Sequence, residues 1–186
     1  MQTSRRSFIQ HSAGGVALAL AYSIAGSVVL LTPAQARAKG VAQNQLPAQE
    51  IRMLEKLAEA LVPGAAEAGV AHFVDHQLGV DPDDALLIAK YFQVPPPYKN
   101  FYRDGLKAAA ALAMQRFNTP LLSLDAKQMH DLAGEMGQPG AGNALFLFYL
   151  CLRSDAVDVV YGTPDGFERL RVPLMAHIMP PEDWNG

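Results

Sequence analysis

The side chains with the clearest potential for chemistry are two histidines and a carboxylate in the first half of the chain. His72 and His76 stand one helical turn apart, and Asp75 falls on the same face of a predicted helix. Two imidazoles and a carboxylate at this spacing could bind a metal ion such as zinc. The alternative is a set of surface or capping residues, since no glutamate stands between the histidines as in zinc peptidases. We therefore predict no metal site and keep these three residues as the candidates for one.

A second group, Arg153, Asp155 and Asp158, could be interpreted as an acid–base pair beside a cation. Two carboxylates three positions apart on a helix usually form a solvated face, whereas acid–base catalysis needs a perturbed environment. The lone cysteine, Cys151, lies in an apolar run and is predicted to be a buried small hydrophobic residue. The motifs Gly-x-Gly-x-x-Gly, Gly-x-Ser-x-Gly and Cys-x-x-Cys-His do not occur. We therefore predict neither catalytic nor cofactor-binding residues in this chain.

The amino terminus carries a motif that is typical of an export signal. Arg5 and Arg6 are adjacent, Ser4 precedes them, and Phe8 and Ile9 follow one residue later. Paired arginines in this setting match the twin-arginine signal, which directs folded proteins across the bacterial inner membrane. That route is the usual one for proteins loaded with a cofactor in the cytoplasm, yet the rest of this chain shows no cofactor motif. We therefore predict export by the twin-arginine translocase.

An apolar stretch rich in small residues follows the arginines, as a signal core should. It spans residues 13–31, and Pro33 is predicted to end its helix and leave the following segment extended. Small residues then favour cleavage that removes residues 1–36, with a cut after Ala38 as the second choice. The remaining single domain would comprise residues 37–186. An uncleaved anchor is the alternative, because the core is long enough to span a bilayer.

The charge balance of the processed chain bears on its partners. The sequence holds 15 basic and 18 acidic residues, and removal of the leader would take away two arginines and no acid. The processed chain would then be mildly acidic, with a net charge of −5. Nucleic-acid-binding domains are typically basic, so we predict that nucleic acid is not a partner.

The rest of the sequence predicts helices joined by short loops that contain proline and glycine. Apolar residues recur at helical spacing, and no sustained period-two alternation indicates strands. We therefore predict an all-α fold, a small bundle or orthogonal array of about six helices, with an irregular Pro/Gly-rich C-terminal segment. The predicted helices span residues 47–61, 70–78, 82–94, 98–117, 124–136 and 143–160.

Three stretches of the sequence resemble the gluconate 2-dehydrogenase subunit 3 family. The first runs from Leu57 to Ala65 and on through the segment 69–75, which includes His72. The second is the predicted helix start at 122–125, and the third is the end of the apolar helix at 159–162. These stretches extend the resemblance over most of the processed chain, and the twin-arginine motif at the amino terminus agrees with it.

The resemblance implies a function in binding. Members of this family are non-catalytic small subunits that accompany a large flavoprotein of the glucose-methanol-choline (GMC) oxidoreductase type. FAD is then expected in that large subunit, and haem c in a third, multihaem cytochrome c subunit. The small subunit lends its export signal to the large one, which implies an escort role and a periplasmic location at the inner membrane. A chain without its own cofactor would then use the folded-protein route because its cargo carries one.

The C-terminal segment departs from the family pattern and is a candidate interface. After Gly162 the chain lacks the Tyr-Gly-Gly-Asn element and the Gly-Tyr-Pro-Gly ending that the family often carries, so the resemblance leaves the substrate of the complex unassigned. Proline stiffens the segment, and its large apolar side chains are typical of interface cores. The alternative is that the segment packs back onto its own helices. The interface candidates are Phe167, Met175, Ile178, Met179 and Trp184.

Two other functions remain open on the sequence. One is a free-standing periplasmic metal-binding protein or enzyme that uses His72, Asp75 and His76. The other is a structural helical protein held on the membrane by an uncleaved signal.

Overall fold

The computed structural model describes residues 19–24, 26–139, 143–163, 166 and 170–171. Over these residues the chain is mostly helical, which confirms the predicted fold class, but it also contains a two-stranded hairpin. The strands are β1 (Leu20–Ile24) and β2 (Ser27–Leu31). The helices are α1 (Pro33–Ala38), α2 (Ala48–Leu61), α3 (Ala65–Ala68), α4 (Val70–Gln77), α5 (Ile88–Tyr91), α6 (Tyr98–Phe117), α7 (Ala126–Met136) and α8 (Asn143–Tyr161), and a 3₁₀ turn spans Leu121–Ser123.

The hairpin corrects the prediction of a helical signal core, at least for its described part. β1 pairs antiparallel with β2 along all five residues of each strand. Leu20 and Tyr22 are buried while Ala21 and Ser23 are exposed, so β1 does alternate with period two. In β1 large side chains alternate with small ones as much as apolar side chains alternate with polar ones. The sequence of the strand therefore looked uniformly apolar. Gly26 supplies the positive φ of 80° in the connecting turn.

Helix α1 corrects the prediction of an extended segment after the signal core. Pro33 begins the helix, a position where proline is favoured because the missing N–H would have no helical partner. Thr32 caps it: its hydroxyl accepts from the backbone N–H of Gln35, and the Gln35 side chain accepts from the backbone N–H of Thr32. Ala36, the residue before the predicted cut, is fully buried within this helix.

Helix α5 is a single turn, and the longer helix predicted over residues 82–94 is therefore wrong. The backbone N–H of Leu86 donates to the Gln77 side chain at 2.8 Å. The N–H of Ile88 donates to the Asp155 carboxylate at 2.9 Å. Because side chains from α4 and α8 accept these hydrogen bonds, the segment before α5 is stabilised without helical bonds of its own.

Helix α7 begins two residues later than its predicted start. Asp125 is the N-cap residue, and it forms a capping box with Gln128 in which each side chain accepts from the other's backbone N–H. Ser123, which directly precedes the predicted helix, lies in the preceding 3₁₀ turn.

Helix α8 is the central element of the core. It contacts each helix from α2 to α7. None of the helices in the described part of the chain combines the length and apolar character needed to cross a membrane. The largest fully buried side chains are Leu54, Leu57, Val70, Val74, Leu87, Tyr102, Leu106, Leu132, Met136, Phe148, Leu152 and Val159.

Candidate functional site

The three candidate metal ligands line one cavity of about 320 Å³. The cavity lies between the hairpin, the loop that follows α1, and α4. Strand β1 contributes Ala21, Tyr22 and Ser23, and the loop contributes residues 41–45. His72, Asp75 and His76 come from α4, where a spacing of three to four residues places them on one face as the sequence predicted.

Asp75 stabilises the loop that precedes α2. The residue is 5% exposed, and its carboxylate accepts three backbone hydrogen bonds. Oδ2 accepts from the N–H of Asn44 at 2.8 Å, while Oδ1 accepts from Gln45 at 2.8 Å and from Leu46 at 2.9 Å. Hydrogen bonds to an ionised acceptor are among the stronger ones in proteins. Both oxygens of this carboxylate are therefore engaged in stabilising backbone.

His76 contacts the hairpin. Its Nε2 lies 3.0 Å from the carbonyl oxygen of Ala21, to which it donates when Nε2 carries the hydrogen. Nδ1 then accepts from the side-chain amide of Gln77 at 3.3 Å. The Tyr22 ring lies against the imidazole, with centroids 4.7 Å apart and a tilt of 58°. His76 thus connects α4 to strand β1.

His72 presents a polar atom without a hydrogen-bond partner to this region. Its Nδ1 is buried, and so is Nε2 of Gln43 across the cavity; neither has a partner in the described part of the chain. Burial lowers the pKa of His72, and a backbone interaction with Val41 opposes that change only in part. Tyr22 donates its hydroxyl to the His72 carbonyl at 3.4 Å. Burial, followed by the nearby Asp75 charge, raises the pKa of Tyr22.

The geometry does not combine His72, Asp75 and His76 into a metal-ligand set. Within the described ranges, no three His, Cys, Asp or Glu side chains converge where they could hold a metal ion. Asp75 binds backbone, His76 binds the hairpin, and His72 faces the cavity. What these residues do together is join the hairpin, the loop and α4.

Replacing Asp75 with asparagine should destabilise the fold. The amide has one acceptor oxygen, so at least one of the three backbone N–H groups would lose its partner. An unsatisfied buried donor costs about 1–3 kcal/mol in the free energy of unfolding, which urea unfolding at pH 7 would measure. Asp131→Asn is the matched control, because Asp131 forms an exposed i,i+4 pair with Lys127 and such pairs contribute roughly 0.3–0.5 kcal/mol. Equal losses in the two variants would contradict the structural role of Asp75.

The second predicted group is split by the structure. Asp155 is 1% exposed, whereas Arg153 and Asp158 lie on the exposed face of α8. The prediction of a solvated face is therefore wrong for Asp155. The sequence did contain a signal: Asp155 follows Cys151 and Leu152 by one turn and precedes Val159 by another, which places it on the apolar face.

Asp155 joins three elements of the core. Its carboxylate accepts from the N–H of Ile88 at 2.9 Å and makes a short hydrogen bond with the hydroxyl of Tyr102. Burial raises the pKa of Asp155 to about 7, and the charge of Asp158 adds to the rise, while the two hydrogen bonds oppose it. Burial likewise raises the pKa of Cys151 to about 12, so that residue is a protonated thiol in the core, as predicted.

Comparison with known proteins identifies the family. A family model described as gluconate 2-dehydrogenase subunit 3 matches residues 48–172. The chain belongs to this family. The match confirms the resemblance drawn from the sequence, and it begins at the first residue of α2. No curated protein and no solved structure matches the chain.

Membership in the gluconate 2-dehydrogenase subunit 3 family places the chain among subunits, in agreement with a non-catalytic small subunit of a multi-subunit dehydrogenase. The matched range holds α4, the central helix α8 and Asp155. The hairpin and α1 precede the match, so the cavity lies between the matched domain and residues that the family model does not cover.

Two predicted sets of residues in this subunit 3 homologue lie outside the described residues. They are the export motif and the C-terminal interface candidates, and both sets stay predictions. The residues are Ser4, Arg5, Arg6, Phe8 and Ile9, and Phe167, Met175, Ile178, Met179 and Trp184.

Exposed apolar side chains near α5 were not predicted from the sequence. Tyr91 is 70% exposed, Phe92 48% and Leu86 46%. Exposed aromatic residues close together in sequence are typical of interaction surfaces. The sequence reasoning missed them because a longer helix over this segment would have placed part of the set in the core.

Proposed function

We propose that this chain is the small subunit and export escort of a periplasmic, membrane-associated FAD-dependent sugar or sugar-acid dehydrogenase of the GMC type. The observation that carries the proposal is the family match over residues 48–172. The paired arginines at positions 5 and 6 precede the matched range and add the route of export.

The proposed mechanism is binding. Arg5 and Arg6 engage the translocase, and the helical domain holds the flavoprotein so that one signal exports both chains. When bound, FAD in the large subunit supplies the redox chemistry, with haem c in a third subunit as the electron acceptor. The small subunit stays at the periplasmic face of the inner membrane through this complex.

The buried carboxylates that were candidates for catalysis or metal binding are engaged in structural hydrogen bonds, which supports a role in binding. Asp75 is engaged with three backbone N–H groups, and Asp155 with one backbone N–H and the Tyr102 hydroxyl. These carboxylates stabilise the loop and helices of a folded domain. A folded domain of this kind is what the twin-arginine route requires of an escort.

The partner is tested by affinity purification of the chain from membranes of its native host, with an absorption spectrum of the eluate. We expect a large co-purifying chain and flavin absorption near ~450 nm, which is the signature of the cofactor we assign to the large subunit. A colourless eluate that contains this chain alone would contradict the subunit role.

The export role is tested by conservative substitution of both arginines. In the Arg5→Lys, Arg6→Lys double variant we expect both this chain and the large subunit to remain in the cytoplasm, because the translocase requires the paired arginines. Cell fractionation with immunoblots of both chains measures this. The matched control is Arg52→Lys, a change at an exposed position of α2 that should leave export intact. A large subunit that still reaches the periplasm with the double variant would rule out the escort.

A further inference from the structure

We propose that the distal part of the leader, residues 20–36, docks on the folded domain and thereby delays removal of the leader. The proposal rests on the proposed function, because it takes residues 1–36 as an export signal. In this arrangement the folded subunit protects its own cleavage site. Release of the hairpin then becomes the step that permits cleavage.

Apolar contacts seat the hairpin on the domain. Leu20 is 7% exposed, Tyr22 5% and Leu31 6%, and all three belong to the same buried cluster as the helices. Residues 27–30 of β2 are exposed, with Val28 at 74%. The hairpin is therefore joined to the core through one face of β1 and through Leu31, and this burial favours the docked state.

Polar contacts give the docking its register. The Tyr22 hydroxyl donates to the carbonyl of His72, and Nε2 of His76 donates to the carbonyl of Ala21 at 3.0 Å. The Tyr22 and His76 rings are in contact, with centroids 4.7 Å apart. A one-residue slip of β1 would turn Tyr22 to solvent and remove all three contacts. Of the two histidines that the sequence offered as metal ligands, His76 thus contacts the leader through its imidazole and His72 through its backbone carbonyl.

Docking places the cleavage site inside α1. Ala36 is fully buried, its N–H donates to the Thr32 carbonyl at 2.9 Å, and its own carbonyl accepts from Val41 at 3.0 Å. Both predicted cuts, after Ala36 and after Ala38, need Ala36 in one of the two small-residue positions that the peptidase reads. Helical, buried backbone is a poor protease substrate, because cleavage occurs where backbone is exposed and mobile.

A close backbone contact fixes α1 to the family domain. Gly69 lies between α3 and α4 with φ at 81°, and a Cβ built there would fall closer than 3.0 Å to the backbone of Pro33 and Ala34. The helix that holds the cleavage site therefore packs directly on the domain. Unwinding α1 requires that the hairpin and this contact both open, so cleavage should follow the population of the open state.

The test compares three purified full-length chains with leader peptidase in detergent micelles, followed by intact mass. Tyr22→Ala removes the buried ring and should raise the rate of cleavage at Ala36 or Ala38 at least about tenfold over the native chain, since the rate follows the open population. Val28→Ala changes a side chain that is 74% exposed on the paired strand and should leave the rate unchanged. Hydrogen exchange should show protected amides in residues 20–31 of the native chain and faster exchange there in Tyr22→Ala.

Equal cleavage rates in the native chain and Tyr22→Ala, whether fast or undetectable, would overturn the proposal. So would a native chain whose hairpin amides exchange as fast as those of Tyr22→Ala. The assay needs no export, so its result is independent of the arginine variants. If the peptidase leaves even the urea-unfolded chain intact, residues 1–36 are no cleavable leader, and the assignment of the signal fails along with this proposal.

Discussion

Replacing Asp155 with alanine should lower the free energy of unfolding at pH 5 by about 2–6 kcal/mol. The change leaves two buried donors, the N–H of Ile88 and the hydroxyl of Tyr102, without their acceptor, and each such loss costs about 1–3 kcal/mol. Urea unfolding followed by circular dichroism measures the difference. The loss of stability should be largest at the start of α5, because the backbone N–H of Ile88 donates to Asp155.

The matched control is Asp158→Ala, which removes a carboxylate one turn later on the exposed face of α8. Surface changes of this kind usually fall within about 0.5 kcal/mol. If the free energy of unfolding falls equally in both alanine variants, the loss comes from a change in helix propensity or net charge. The buried hydrogen bonds of Asp155 would then not account for it.

The pH dependence of stability provides a second signature of the same residue. The folded pKa of about 7 lies above the ordinary aspartate pKa of 3.8, so between these values the folded chain holds a proton that the unfolded chain has released. The stability from Asp155 is therefore complete below about pH 4 and is lost as the pH rises through 7. Since one pKa unit is worth about 1.4 kcal/mol, the loss is on the order of 4 kcal/mol.

Asp155→Asn isolates this contribution because asparagine keeps the shape and has no charge to bury. At each pH we compare the free energy of unfolding of the variant with that of the native chain. The variant's value minus the native value should be larger at pH 8 than at pH 5. Parallel unfolding curves at the two pH values would show that the carboxyl titrates normally in the folded chain.

The sequence predicted those helices whose own residues determine them. α6 spans residues 98–117 as expected, and α2 ends before Pro63 as expected, because proline, capping residues and apolar spacing act within one segment. α5 could not be predicted in this way. Its shortness comes from acceptors on Gln77 and Asp155, which lie far away in sequence.

The candidate site shows the same limit. Helical spacing correctly placed His72, Asp75 and His76 on one face, but spacing gives no information about what lies opposite. The backbone groups that bind Asp75 come from the loop after α1, and the one that contacts His76 comes from strand β1, which the sequence assigned to a helical signal core. Two of the three side chains that could bind a metal therefore bind the chain's own backbone.

Gly105 is the position on α6 where a single methyl group should have a large effect. A Cβ built there would lie closer than 3.0 Å to the ring of Phe148, which is fully buried on α8. The rings of Phe101 and Tyr102 pack edge-on against Phe148, so it has little room to move. Overpacking of this kind typically costs about 1–3 kcal/mol.

Gly105→Ala should therefore lower the midpoint of urea unfolding although alanine is the better helix former. Gly134→Ala is the matched control: Gly134 is exposed on α7, a Cβ there meets nothing within 4 Å, and the helix should gain about 0.5–1 kcal/mol. The two substitutions add the same atoms to the same kind of backbone and should shift the midpoint in opposite directions. A stabilising Gly105→Ala would mean that α6 and α8 can separate at no cost, and the contact that brings Tyr102 to Asp155 would then be looser than the structure has it.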